Sequence, residues 1–183
     1  VGGLPDGIVD AGTLATNSVD SAELIDGSID TAHIATDQIT SAIMPAGSVL
    51  QVVSATISTE TSSASRSWVT TGLDAAITPS STSNKIFIYF NVPCYAVASG
   101  EYMWVTLFRG TVAGTNLGNS SYGFQNIRGG GATIQAPGSG GYLDSPSTTS
   151  SQTYTVGFYS DDGTPRICNN DTIATITLME IAG

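Results

Sequence analysis

Catalysis or metal binding in this chain would have to be built from one histidine, two cysteines and a scatter of carboxylates. A Ser-His-Asp relay would have to recruit His33, which lies in a segment of short repeats far from the β-rich remainder. Cys94 and Cys168 make no zinc pattern with that histidine at a recognisable spacing. They either pair across adjacent strands or lie buried as free thiols. A glycosidase needs two carboxyls across one sugar ring, and Glu60, Asp74, Glu101, Asp144, Asp161, Asp162, Asp171 and Glu180 supply candidates. Their spacing selects no pair. Ser160-Asp161-Asp162-Gly163-Thr164 reads first as a hairpin turn, because Asp-Gly favours type I′, and second as a contributor to a calcium site. No phosphate-cradling glycine loop follows a strand and opens a helix. The expectation is a protein that is not an enzyme and carries no cofactor and no metal.

Binding chemistry is better supplied. Tyr122, Phe124, Gln125, Asn126 and Arg128 lie within seven residues, in a glycine-rich stretch (110–141) whose only charge is Arg128. Sugar rings offer apolar C–H faces to aromatics and hydroxyls to amides and guanidinium, so these five are the candidate glycan-binding residues. Because Tyr122 and Phe124 alternate, a buried strand face remains the competing reading. The stretch is longer than a connection needs, which is common for functional loops. Trp68, Trp104 and Phe108 lie in clear strands and are expected in the core.

These residues must be positioned by a chain of 183 residues with two distinct parts. All fourteen aromatics lie at or beyond Trp68. Before that point apolar residues occupy ten consecutive fifth places: Leu4, Val9, Leu14, Val19, Leu24, Ile29, Ile34, Ile39, Met44 and Val49. A period of ten is superimposed. Gly7, Asn17, Gly27, Asp37 and Gly47 hold a phase suited to positive φ, and Gly2, Gly12, Ala22, Ala32 and Ala42 hold a uniformly small one. A helix would show spacings of three and four, and a strand would alternate. One apolar residue in five is too thin a stripe for one chain to bury. Three chains around one axis would meet there in layers, each aliphatic contributing about 1.5–3 kcal/mol when fully buried. A disordered acidic linker and a monomeric β-helix of five-residue coils are the alternatives; the latter would be only about two coils long.

The units SVDSAELIDG, SIDTAHIATD and QITSAIMPAG resemble the short tail-fibre repeats of tailed bacteriophages, of the form G-S-(I/V)-x-T-A-x-(I/L)-A-x. The likeness covers residues 2 to about 49 and implies a trimeric shaft. Leu4 is already in register near Val1, so the shaft is expected to continue upstream.

Beyond Pro45 the pattern becomes β-rich: 48–58, 65–72, 84–92, 102–109, 152–160 and 171–181, separated by Ser/Thr/Gly/Asn clusters. About eight to ten strands and no amphipathic helix suggest an antiparallel sandwich of jelly-roll type. GSVLQVVSATIS, YLDSPSTTSSQTYTVGFYS and ITLMEIAG resemble the terminal domain of tail-fibre or virion structural proteins in phages of marine bacteria and cyanobacteria. YFNVPCYAVASGEYMWVTLFRG is similar, over a few residues, to complement and tumour-necrosis-factor jelly rolls.

The expected molecule is all-β: an intertwined homotrimeric shaft of β-repeats over residues 1–45, followed by a β-sandwich head over 46–183. The resemblance implies a virion component, the tip of a tail fibre, that adsorbs without catalysis to host-surface glycan or protein. Its other partners would be itself and upstream fibre, tail or baseplate proteins. A decoration protein without a receptor is the alternative, and a polysaccharide depolymerase the third reading. Fifteen acidic against five basic residues give a net charge of −10, the wrong sign for nucleic acid or for an anionic membrane surface. No apolar run is long enough to insert in a bilayer.

Overall fold

A computed structural model describes residues 29, 32–36, 38–40, 43–96, 100–131 and 133–183. Two compact units divide the chain, Val1–Ile43 and Met44–Gly183. In the first, Ile29, Ile34 and Ile39 are exposed in the single chain. Leu4, Val9, Leu14, Val19 and Leu24 of the fifth-place series lie outside the described residues.

Among the described residues, the regular elements of the second unit are strands and one short 3₁₀ turn, Asn169–Asp171. The strands are β1 (Val49–Ile57), β2 (Thr61–Ser62), β3 (Val69–Ile77), β4 (Lys85–Ala96), β5 (Tyr102–Arg109), β6 (Thr115–Asn116), β7 (Gln125–Arg128), β8 (Ile134–Asp144), β9 (Gln152–Ser160), β10 (Arg166–Ile167) and β11 (Ala174–Ile181). They form two antiparallel sheets. The first runs β1-β11-β4-β10-β2, with β8 along the other edge of β4; the second runs β3-β9-β5-β6, with β7 also on β5.

Side-chain alternation sets which face each strand buries. In β3, Leu73, Ala75 and Ile77 are buried while Asp74 and Ala76 are exposed. Ala174, Ile176, Leu178 and Glu180 form the inward row of β11. Ile86, Ile88, Phe90 and Val92 of β4 meet Val105, Leu107, Val156 and Phe158 of the second sheet in one core. Face-to-face closure of the inward rows makes a β-sandwich.

Stretch 110–141 differs from its expected form as a long insertion. It contains β6, β7 and most of β8, which pairs with β4 from Ile86↔Asp144 to Ala96↔Ile134. Glycine occurs in β8 because neighbouring side chains fill the space a Cβ would need. A Cβ on Gly140 would lie 2.9 Å from the rings of Phe90 and Phe124, and one on Gly138 would lie 2.7 Å from Val105 Cγ2.

Ser160–Thr164 is likewise no hairpin. β9 belongs to the second sheet and β10 to the first, so this bend carries the chain between sheets. Asp161 Oδ1 accepts the Tyr102 N–H at 3.1 Å, and Ser160 Oγ donates to the Asp162 carbonyl.

Two buried carboxylates hold the sandwich. Asp144 accepts from Arg109 Nη1 at 3.1 Å and from the Tyr154 hydroxyl at 2.7 Å. This joins β8 of the first sheet to β5 and β9 of the second. Burial, then the bond to Asp144, pushes the Tyr154 phenol up, so it stays a donor. Glu180 accepts from Ser80 N–H at 2.6 Å, Ser80 Oγ at 2.8 Å, Asn84 Nδ2 at 2.6 Å and Gln51 Nε2 at 2.5 Å. Burial alone would raise its pKa, but these donors hold it below the usual carboxylate value. Cys94 and Cys168 are both buried free thiols. Burial pushes the Cys94 thiol up to about 12, with Gly138 N–H opposing and Cys168 adding, which removes it from nucleophilic chemistry.

Candidate functional site

Strand β5 reads YMWVTLFR, and its two faces diverge. Met103, Val105 and Leu107 enter the core. Tyr102, Trp104, Thr106 and Phe108 occupy the opposite face, where Trp104 and Phe108 are buried, as expected, but outside the central cluster. Trp68, half-buried just before β3, also lies outside that core and joins this face through its contacts with Phe108 and Tyr159.

The rings form a row across the sheet. Trp68 meets Tyr159 edge-on at a centroid distance of 4.5 Å. Tyr159 stacks on Trp104 at 4.6 Å with 14° between planes, and Trp104 stacks on Tyr102 at 5.4 Å and 15°. The first two spacings are close to the distance between neighbouring strands, as expected when one ring is carried by each strand. Strand pairing also sets the polar end of the row. Trp104 pairs with Asn126 and Tyr102 with Arg128, and the Arg128 guanidinium sits 5.1 Å over the Tyr102 ring.

The segment between β5 and β7 covers part of this row. The Tyr159 hydroxyl donates to the Ser121 carbonyl at 2.6 Å, and Thr106 Oγ1 donates to Asn116 Oδ1 at 2.7 Å. Tyr122 then leans over Trp104 at 6.4 Å and remains 63% exposed. Trp104 is 6% exposed, and its Nε1–H is buried without a hydrogen-bond partner among the described residues. Burial first, then Asp161 and Tyr122, raises the Tyr159 pKa and keeps its hydroxyl protonated.

The five residues expected to bind glycan therefore separate. Tyr122, Asn126 and Arg128 are exposed beside the aromatic row. Phe124 instead packs edge-on against Phe90 and Tyr142 at the margin of the core. Gln125 Oε1 accepts the Ser139 N–H at 2.9 Å and ties β7 to β8. Trp68, Tyr102, Trp104 and Tyr159 were not among the expected site residues. The clue was present in YMWVTLFR, where aromatics recur at every second place except Thr106.

The stacked rings turn their faces to one another, so what this surface offers a ligand is the exposed Tyr122 ring and the half-buried Trp68, with an amide and a guanidinium at the margin. This is the makeup of a polar-ligand site with a largely apolar floor.

The opposite outer face, on the first sheet, differs. Val52, Met179, Phe87 and Leu143 pair successively across β1, β11, β4 and β8. Val52 is 56% and Leu143 49% exposed, and Tyr89 and Val49 are exposed on the same face.

No family model and no curated protein matches the chain. Among solved structures, it is similar to a mutant VP2 protein of infectious bursal disease virus in derived T=1 particles. That match has 9% identity and a TM-score of 0.38, covering 74% of this chain and 37% of the viral one. A VP2 subviral particle of the same virus gives 11% identity and a TM-score of 0.37, covering 73% of this chain and 38% of that one. The chain spans well under half the length of those proteins. With similarity at this level, the sandwich is defined by the chain's own strand pairing.

Proposed function

We propose that this chain is the tip of a homotrimeric bacteriophage tail fibre, a virion component that adsorbs to host-surface glycan without catalysis. The shaft is the β-repeat segment and the head is the sandwich, of jelly-roll type. One observation carries the trimer. The unbroken fifth-place series ends at Val49, which is also the first residue of the exposed apolar face formed by Val52, Met179, Phe87 and Leu143. A three-chain assembly would give both stripes a partner.

Adsorption is supported by the aromatic row on the other outer face, with Tyr122, Asn126 and Arg128 at its margin. Three copies on one axis would turn weak individual sites into firm attachment. The test is binding of the full chain to an array of bacterial surface polysaccharides. Binding that falls at least tenfold in Trp68→Ala supports adsorption at this face. Undiminished binding in that variant removes the face from the account, and no binding at all leaves a virion structural role. Release of reducing sugar would instead indicate a depolymerase.

A further inference from the structure

The outer face of the first sheet changes character along β4. Its apolar end lies at Lys85–Tyr89. Two residues beyond Tyr89, from Asn91 to Tyr95, the same face opens into a pocket of about 260 Å³. Asn91, Pro93 and Tyr95 of β4, Gln135 and Pro137 of β8, and Asn169 and Thr172 beyond β10 are among its lining residues.

We propose that this pocket binds one neutral pyranose ring, as a second saccharide site separate from the aromatic row. Its size is near the lower end for small-molecule sites, about 300 Å³, which suits a single ring and not a chain. No Asp, Glu, Lys or Arg lines it. The nearby Arg166 lies 5.9 Å from the Tyr95 ring and pairs with Glu60 at 3.6 Å, so its charge is offset outside the pocket. The ligand is therefore neutral.

Unused hydrogen-bonding capacity points the same way. The side-chain amides of Asn91, Gln135 and Asn169 engage no partner among the described residues. Those of Gln51, Asn84, Asn116, Asn119, Gln125 and Gln152 are each engaged, and the other open ones, of Gln38, Asn126 and Asn170, are scattered on the exposed surface. Three open amides around one cavity match the donors and acceptors of ring hydroxyls.

The floor is also unusual. Pro93 and Pro137 face each other across the β4–β8 ladder. Proline is normally kept from a strand paired on both edges because it cannot donate a ladder bond. Here the two rings give the pocket a flat C–H surface beside Tyr95. The rim is held in an uncommon backbone shape: Cys168, Asn170 and Asp171 have φ of 53°, 56° and 58°. Cys168 N–H donates to the Pro93 carbonyl at 3.0 Å, anchoring the strained rim to the floor. Strain of this kind persists where the surroundings enforce it, often around ligands.

Binding here does not require the aromatic row to bind anything. The test is saturation-transfer NMR on the full chain with methyl glycosides of glucose, galactose, mannose and N-acetylglucosamine, and methyl glucuronide as the charged comparison. At least one neutral glycoside should give a transfer signal that falls at least fivefold in Gln135→Ala and in Asn91→Ala. It should be unchanged in Asp74→Asn, exposed on β3 of the other sheet. Gln135 is exposed, so its variant keeps the fold, checked by an unchanged melting temperature. No signal from any neutral glycoside, a signal indifferent to both pocket variants, or preference for the glucuronide would overturn the proposal. Loss of signal in Tyr122→Ala alone would move binding to the aromatic face and equally overturn it.

Discussion

The two outer faces of the sandwich come from the same strand alternation and meet solvent differently. On the second sheet, the segment between β5 and β7 folds over the aromatics and leaves Tyr122, Asn126 and Arg128 at the margin. On the first sheet, Val52, Met179, Phe87 and Leu143 lie in register, and Val52 and Leu143 stand exposed. A face covered by its own chain can serve a ligand at the uncovered edge. A bare apolar face is a candidate for association, because large contiguous patches of this kind mark interaction sites. In the proposed function, adsorption falls to the first of these faces and assembly to the second.

Five variants sharpen or break this division. The largest effect is expected from Val52→Asp combined with Leu143→Asp, which should dissociate the proposed trimer. Asn126→Asp on the other face should leave it intact. Equal behaviour of the two in sedimentation velocity would remove the distinction. Next is Asp144→Ala, which leaves Arg109 and the Tyr154 hydroxyl without their shared acceptor between the sheets. A loss of about 3–5 kcal/mol is expected from breaking a buried pair, read from the shift of the urea midpoint.

Glu180→Gln should cost about 1.5–3 kcal/mol near neutral pH, the range for hydrogen bonds to a charged group. It also tests the acid response. Because folding depresses the Glu180 pKa, its contribution is complete above the unfolded carboxyl value. It is lost as pH falls through the lower folded value. The native chain should therefore lose stability below about pH 4.5 more steeply than the variant, seen in urea midpoints between pH 6 and 3. The smallest stability change, about 1 kcal/mol, is expected for Trp68→Ala, which removes edge-on ring contacts from a half-buried residue. That variant should still lose polysaccharide binding.

Much of the sandwich was legible in the sequence where alternation was clean. The stretches expected at 102–109 and 152–160 are β5 and β9 to the residue, and 48–58 and 84–92 locate β1 and most of β4. The β8 strand was hidden because Gly138, Gly140 and Gly141 read as loop in one dimension. In the fold, Gly138 and Gly140 provide room for Val105, Phe90 and Phe124. The expected 65–72 strand lies four residues early relative to β3, since its small residues Ala75 and Ala76 carry little β signal. The site was half visible. Tyr122 and Arg128 stood out as an aromatic and a lone cation in a glycine-rich stretch. Trp104 did not, because both faces of β5 are buried and burial erases the polar alternation that separates core from surface. Pro93 and Pro137 gave no pairing signal until the β4–β8 register placed them opposite each other.

Shared burial of the fifth-place residues and the apolar sheet face is the central claim, and the mass of the full chain in solution tests it most directly. Sedimentation equilibrium should return a stable species of three chains, stable to dilution and dissociated when Ile29 and Ile34 are both replaced by Asp. A folded monomer at all concentrations, with unchanged thermal stability in the Ile29→Asp, Ile34→Asp variant, would contradict it.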